Sequence, residues 1–477
     1  MLPRVASILA VLGLVVGGWV VVRHSSGDDR EVAVAAAATD AEAAGIGDPY
    51  FPLDGNAGIN VLSYAVHDRY HFSSGRLSGQ TVVTLRTTQR LESFDLDFML
   101  PVSRVRLSTG PAAFSRPEHH ELRISPGRPL RKHTRVRVTV TYAGNPEHFS
   151  YAGESNWVAE GTHEVEAVNE PHMAPWWFPS NDHPLDKARM DVRVTVPHDK
   201  QVVSNGRLLG VRRQGGLATY HWGGAGPMAT YLAFFVAGRF ETRSGTARHL
   251  PYYLAVSRDL PRGTRRSAMR GLEQTPDIVH WLQRQLGPYP FARTGGVVTS
   301  LDPGFSLENQ TRPVYPREVF TELMVHELAH QWFGDSVSVH HWRDVWLNEG
   351  FATYMEHRWI EAHGGETTSR WLRNTYDSSD TSPWGLVVAD PGARHLFDWR
   401  VYQRGGMTLA ALRKVIGKGT FADLLRQWTA RHRHGHGTTD SFEALAEQVS
   451  RQDLTAFFDA WVRQADQPAD TAANGLG

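Results

Sequence analysis

V-H-E-L-A-H-Q-W-F-G-D-S-V-S-V-H-H-W-R-D-V-W-L-N-E-G-F, residues 325–351, places two histidines, His326 and His330, four positions apart. On a helix that spacing stacks both imidazoles on one face, one turn apart. Glu349 follows after eighteen intervening residues. Two neutral imidazoles and one carboxylate make a three-ligand site for one Zn²⁺ ion with a fourth position left for water, as hydrolytic zinc sites have; structural sites close with four protein ligands. Glu327 follows the first histidine, so its carboxylate can reach a water in that open position and act as general base, then as proton donor to the leaving group. Val325, Leu328, Ala329 and Trp332 recur at helical spacing and give a helix from about 318 to 333 a buried face. A second helix is expected to begin near Asn348, with Asn348 as N-cap and Glu349 in its first turn.

The surrounding chain has to support that reading. Its 477 residues suggest two or three domains. Lys plus Arg and Asp plus Glu both number 50, so no excess of basic charge points to nucleic acid as a partner. The absence of Cys removes disulfides, thiol catalysis and cysteine-ligated metal, so any metal rests on His and carboxylate. From Asp48 onward the hydrophobic period is two. Phe94, Leu96 and Phe98 alternate with Asp95 and Asp97, Val136–Tyr142 alternate with Arg and Thr, and Val192–Val196 do the same. Such strands, with Asn205-Gly206 as a tight turn, predict an antiparallel all-β domain over 48–242. The loop from Glu170 to Pro184, dense in Pro and aromatics, is expected to be ordered and to face a neighbouring domain.

After 243 the pattern becomes mainly helical, as far as 466. Gly263–Leu286 reads as one helix, Asp440 with Glu443 as a capping box, and 454–462 as a last helix. The tail 467–477 is expected to be disordered. Arg431–His436 reads as a solvated basic turn, His340-His341 as a loop pair, and Asp344 as a partner for a ligand histidine.

At the other end, Val5–Val22 is an uncharged run of eighteen apolar or small residues behind Arg4. Its length favours a membrane anchor over residues 1–24 above a cleaved signal peptide, whose core is shorter. Residues 25–47 read as a flexible tether. Both readings place the globular part outside the cytoplasm.

His326–Gly334 and Trp346–Ala352 closely resemble the motifs of the gluzincin aminopeptidases, the family of aminopeptidase N and leukotriene hydrolase, and the likeness extends over about residues 48–465. It implies an α+β chain, with an all-β N-terminal domain followed by a thermolysin-like, mainly helical catalytic domain. It also implies removal of N-terminal residues from peptides with a free amine. Leu307-Glu308-Asn309 resembles the end of the family's G-x-M-E-N motif, whose Glu binds the substrate's α-amine and whose strand pairs with the substrate backbone. Phe305 stands where that motif has its first Gly, with Gly304 one position early. Val401–Gly405 resembles the segment whose Tyr, here Tyr402, stabilises the oxyanion. Glu170 and the loop 179–182 resemble the part of the β domain that supplies a second amine-binding residue. Ser180 stands where Cys is common and Asp335 where Asn is usual. Larger members carry a further helical domain over the site, so a more open site is expected here.

Two other readings compete with an aminopeptidase. One is a thermolysin-type zinc endopeptidase, from which Glu308 and Glu170 discriminate. The other is a non-catalytic peptide-binding relic, disfavoured by Glu327 and Tyr402. The sequence is silent on oligomeric state.

Overall fold

In the computed structural model the described residues are 45–117, 120–151, 157–161, 163–379 and 382–477. The expected anchor and almost all of the tether lie outside them. Among the described residues no helix is long and apolar enough to cross a membrane.

The alternating valines build a seven-stranded sheet in the spatial order 207–214, 217–228, 188–197, 59–71, 76–87, 135–144, 102–107. Along Arg135–Gly144, Val136, Val138, Val140 and Tyr142 are buried while Arg135 and Arg137 are exposed. The sheet departs from the expected antiparallel pattern at one pair: Ile59–His71 and Ala188–Pro197 run parallel. Parallel neighbours need a long connection, here residues 72–187, which carry three further strands of the large sheet as well as strands of smaller ones. In one of them, Phe94–Asp97 is buried on both faces, so Asp95 and Asp97 are not solvated as their alternation suggested.

A further sheet begins at Phe240. Phe240–Ala247 pairs antiparallel with Leu250–Ser257, which runs parallel to Thr294–Thr299, itself parallel to Val314–Pro316. The helix expected over 263–286 is two, α1 (Arg262–Leu272) and α2 (Thr275–Leu286), with Pro276 opening the second. They are followed by α3 (Thr321–Ala329), α4 (Trp346–Ala362), α5 (Thr368–Tyr376), α6 (Trp399–Val415), α7 (Lys418–Arg431) and α8 (Thr439–Ser450). α8 is capped by Thr438 and Ser441 in place of Asp440 and Glu443, because the Thr438 hydroxyl already accepts the Ser441 amide. Thr455–Phe458 is helical, and 459–463 widens into a π turn.

The tail 467–477, expected to be disordered, packs onto these helices. Leu476 is buried, and Arg373 donates to both carboxylate oxygens of Asp470 at 2.8 Å.

Specific polar contacts hold the two units together. Asp48 Oδ2 accepts the Trp342 amide at 2.9 Å. The Lys187 ammonium donates to the carbonyls of Asp335, Ser336 and Gly435 at 2.9–3.0 Å. The Asn205-Gly206 turn, with Gly206 at φ +74°, reaches into the second unit. Asn205 Nδ2 donates to the Gln310 carbonyl at 2.9 Å, and the Gly206 amide donates to Thr311 Oγ1 at 2.9 Å.

Candidate active site

α3 is buried on nearly every side, which holds its histidines rigidly. His326 lies in its last turn and His330 is its C-cap residue. The chain leaves through a short loop and enters α4 by way of a 3-10 turn at Trp342–Asp344. That turn runs straight into the helix, so α4 starts at Trp346 and needs no side-chain cap. Asn348 is therefore inside the helix and not its cap, while Glu349 is in the first turn as expected.

These elements bring three donor atoms together. Glu349 Oε2 lies 3.3 Å from His326 Nε2 and 3.4 Å from His330 Nε2. Ligands about 2.0–2.1 Å from a tetrahedral zinc ion stand roughly 3.3 Å apart, so the spacing fits that ion. The other ring nitrogens are committed. His330 Nδ1 donates to the Phe333 carbonyl at 3.0 Å, and His326 Nδ1 faces Glu356 Oε1 at 2.5 Å. Those contacts turn both Nε2 lone pairs toward the common centre. The electrostatics agree. Burial works to raise the Glu349 carboxyl, yet His330 and His326 overcome it and hold it down at about 2. Burial likewise works against charge on the imidazoles, yet neighbouring carboxylates pull both upward. The centre therefore attracts positive charge, which a metal cation supplies.

Glu356 was not found from the sequence, although it lies seven positions after Glu349 on α4 and so on the same face two turns on. Asp344 does not fill that role. Its Oδ1 accepts the amide and hydroxyl of Thr439 at 2.9 and 2.7 Å, anchoring the start of α8. His340 and His341 pack as a ring pair outside the triad. The basic turn 431–436 is tied down more than expected, with His436 Nε2 against the Pro184 carbonyl at 2.9 Å.

Around the triad, Glu327 is buried, and that burial pushes its carboxyl up to about 8. The Tyr402 ring stacks on His326, with centroids 6.0 Å apart and planes 17° apart. One carboxylate oxygen each of Glu170, Glu308 and Glu349 lie within 4.8 Å of one another. Glu170 Oε1 and Glu308 Oε1 are both buried without a hydrogen-bond partner. Burial first, then mutual repulsion, drives the Glu170 carboxyl far up, and burial does the same in kind for Glu308.

The loop holding Glu308 is fixed from several sides. The Gln331 side chain donates to the Glu308 carbonyl at 2.7 Å, and Asn309 Nδ2 donates to the Leu232 carbonyl at 3.2 Å. Asn309 thus anchors the loop to the β domain. Gly304 is not drawn in. It sits at φ +89° in an exposed turn held by Asp302, and 304–306 form no strand. The extended segment starts only at Leu307, bridged to Val314. Tyr231, from the β domain, was also missed. Its buried hydroxyl has no partner, and Glu308 and Glu170 help drive its pKa upward after burial itself.

Two sequence profiles match the chain: the peptidase M1 N-terminal domain over residues 63–232 and the peptidase family M1 domain over 296–461. Aminopeptidase N of Lactococcus lactis subsp. cremoris is 28% identical over 347 residues, 64% of this chain and 38% of its own length. A leucyl aminopeptidase of Saccharolobus solfataricus is 26% identical over 61% of this chain and 40% of its own. This chain thus spans about two fifths of those relatives. Among solved structures, an M1 zinc metallopeptidase variant from Deinococcus radiodurans bound to a Tyr-Ser-Ala substrate superposes with TM-score 0.81 at 26% identity. The match covers 90% of this chain and 100% of that one.

Proposed function

The chain belongs to the M1 peptidase family, and from that membership we propose that it is a zinc aminopeptidase that removes the N-terminal residue of peptides. The observation that carries this reading is that Glu308 and Glu170 each hold one buried carboxylate oxygen without a hydrogen-bond partner beside the His326–His330–Glu349 triad. Two carboxyls whose ionisation burial opposes are suited to one ammonium group, whose positive charge favours their ionised form through charge-assisted hydrogen bonds. An endopeptidase has no use for them. Asn309 holds the loop that carries Glu308, and the chain from Leu307 offers backbone to the substrate.

When bound, zinc supplies Lewis acidity and lowers the pKa of a water to about 7. Glu327 takes the proton of the attacking water and returns it to the leaving amine, a role worth about 10²–10⁴-fold. Tyr402 donates its O–H to the developing oxyanion, and loss of one such donor costs about 10²–10³ in rate.

The test compares an amino-acid anilide with its N-acetylated form, using wild type and Glu308→Ala. Cleavage of the free-amine substrate alone, weakened strongly in the variant, is expected. Cleavage of the blocked substrate at a similar rate would overturn the reading in favour of an endopeptidase.

For the N-terminal run Val5–Val22 we infer a membrane anchor, with the catalytic part outside the cytoplasm; its length and lack of charge support this. Fractionation of cells expressing the full chain tests it. Recovery of the intact chain in the soluble fraction would overturn it.

A further inference from the structure

The β domain buries a second convergence of metal-ligating side chains that the reaction does not use. Asp54, Asp97, His120 and Glu121 are each at most 4% exposed. One donor atom each of Asp97, His120 and Glu121 lie within 4.8 Å of one another. His120 Nε2 is 3.3 Å from Asp97 Oδ1, 3.4 Å from Asp54 Oδ1 and 3.9 Å from Glu121 Oε1.

The outer oxygens of this cluster are already engaged. Asp97 Oδ2 accepts the Asp182 amide at 2.6 Å and Asn56 Nδ2 at 3.4 Å, and Asp54 Oδ2 faces His172 Nδ1 at 2.6 Å. The inner ones face the His120 ring. Asp97 Oδ1 and both oxygens of Glu121 are buried without a hydrogen-bond partner, as is His120 Nδ1 beside the Tyr151 ring.

Strand register sharpens the point. Asp97 lies directly opposite Glu121 in an antiparallel pair, and the next pair on the same face is Asp95 opposite Arg123. Like charges directly opposed destabilise a sheet, and opposite charges support it. At Asp95 the sheet supplies a cation, with Arg123 Nη2 at 2.9 Å. At Asp97 and Glu121 it sets two carboxylates face to face. Burial pushes the Glu121 carboxyl up to about 9 and the Asp97 carboxyl upward as well, while Asp54 and Asp97 overcome burial to pull the His120 imidazole up to about 10, so without a metal the cluster is neutralised by protons that a divalent ion would displace.

We propose that Asp97, His120 and Glu121, with Asp54 against the His120 ring, form a second divalent-metal site that stabilises the β domain independently of the catalytic centre. Deep burial of every donor, with no opening for a substrate atom, marks a structural rather than a catalytic site. One imidazole among carboxylates favours a first-row ion such as Zn²⁺ or Mn²⁺ over Ca²⁺, which takes oxygen ligands.

The test is a metal count on the full chain after equilibration with Zn²⁺ and gel filtration, repeated with Mn²⁺. Wild type is expected to retain two equivalents. Glu121→Gln and His330→Ala are each expected to retain one, lost from different sites. His330→Ala, which lacks the catalytic site, is still expected to melt at a higher temperature with added metal than with chelator, and the metal-dependent rise in Glu121→Gln is expected to be smaller than in wild type. Asp97→Asn repeats the count if Glu121→Gln does not fold. A single equivalent in wild type that His330→Ala abolishes would overturn the proposal. So would two equivalents retained in both Glu121→Gln and Asp97→Asn.

Discussion

Gly350 and Gly405 stand backbone to backbone where α4 crosses α6: a Cβ added at Gly350 would lie 2.8 Å from the Gly405 Cα, and one at Gly405 would lie 2.8 Å from the Gly350 Cα. Glu349 precedes the first glycine and Tyr402 lies one turn before the second, so this contact sets the ligand helix against the tyrosine helix. Gly405→Ala forces the helices apart. A stability loss of about 1–3 kcal/mol is expected from overpacking. A misplacement approaching 1 Å at Tyr402 costs about 10²-fold in kcat. Zinc content stays at the wild-type level, because α3 and α4 keep all three ligands. A variant with wild-type kcat and a wild-type melting curve would show that the crossing has slack.

Glu356 sets the orientation of His326 without touching the metal position. Its carboxylate accepts Nδ1–H, which aims Nε2 and raises its basicity. Glu356→Ala is expected to weaken zinc binding by about 10–100-fold, read by competition with a chromogenic chelator. Activity at saturating zinc should then recover. Unchanged affinity would mean that packing against Tyr402 suffices to hold the ring.

What the sequence disclosed depended on whether a periodic pattern carried the information. His326 and His330 were legible because helical spacing fixes which residues share a face, and Glu349, on the next helix, through the Asn-Glu-Gly motif eighteen residues on. The large sheet was legible because Val136–Tyr142 alternate without interruption. The same alternation misled at Asp95 and Asp97, since it assumes a solvated outer face and Phe94–Asp97 has none. The parallel pairing of Ile59–His71 with Ala188–Pro197 is a long-range register that no local pattern encodes. The order of the C-terminal tail was hidden for a similar reason: its small polar residues are held by partners such as Arg373, almost a hundred positions away in the chain.

Two buried carboxylates of the β domain give the stability a definite pH dependence. Asp68 accepts from Tyr142 Oη at 2.8 Å and Trp177 Nε1 at 2.9 Å, yet burial pushes it up to about 7. Burial, then Glu164, pushes Glu166 up to about 8. In both cases the folded state binds the proton more tightly than the unfolded chain. Their contribution is therefore fully present below the unfolded values near 4 and is lost as pH rises through about 7–8. Thermal melts should fall in midpoint from pH 5 to pH 8, and Asp68→Asn should flatten that fall. An equal slope in the variant would place the pH dependence elsewhere.

Arg404, two residues after Tyr402, is fully buried, and its guanidinium donates to six backbone carbonyls: Leu386, Ala460, Trp461, Gln464, Ala465 and Asp466, at 2.6–3.1 Å. Burial lowers its pKa to about 10, which still leaves it charged at neutral pH. A planar fork with five N–H groups can serve acceptors on several sides at once, whereas a lysine ammonium has three donors on a flexible stem. Arg404→Lys therefore leaves several buried carbonyls unpaired, each costing about 1–3 kcal/mol, though not additively. The expected result is a loss of at least about 3 kcal/mol in denaturant unfolding. The segment 459–466 should become cleavable by protease before the rest of the fold yields. Because the same helix carries Tyr402, kcat should fall while the zinc content of the folded fraction holds. Wild-type stability with an intact 459–466 segment would mean that the π turn packs in place through Trp461 and Val462 alone.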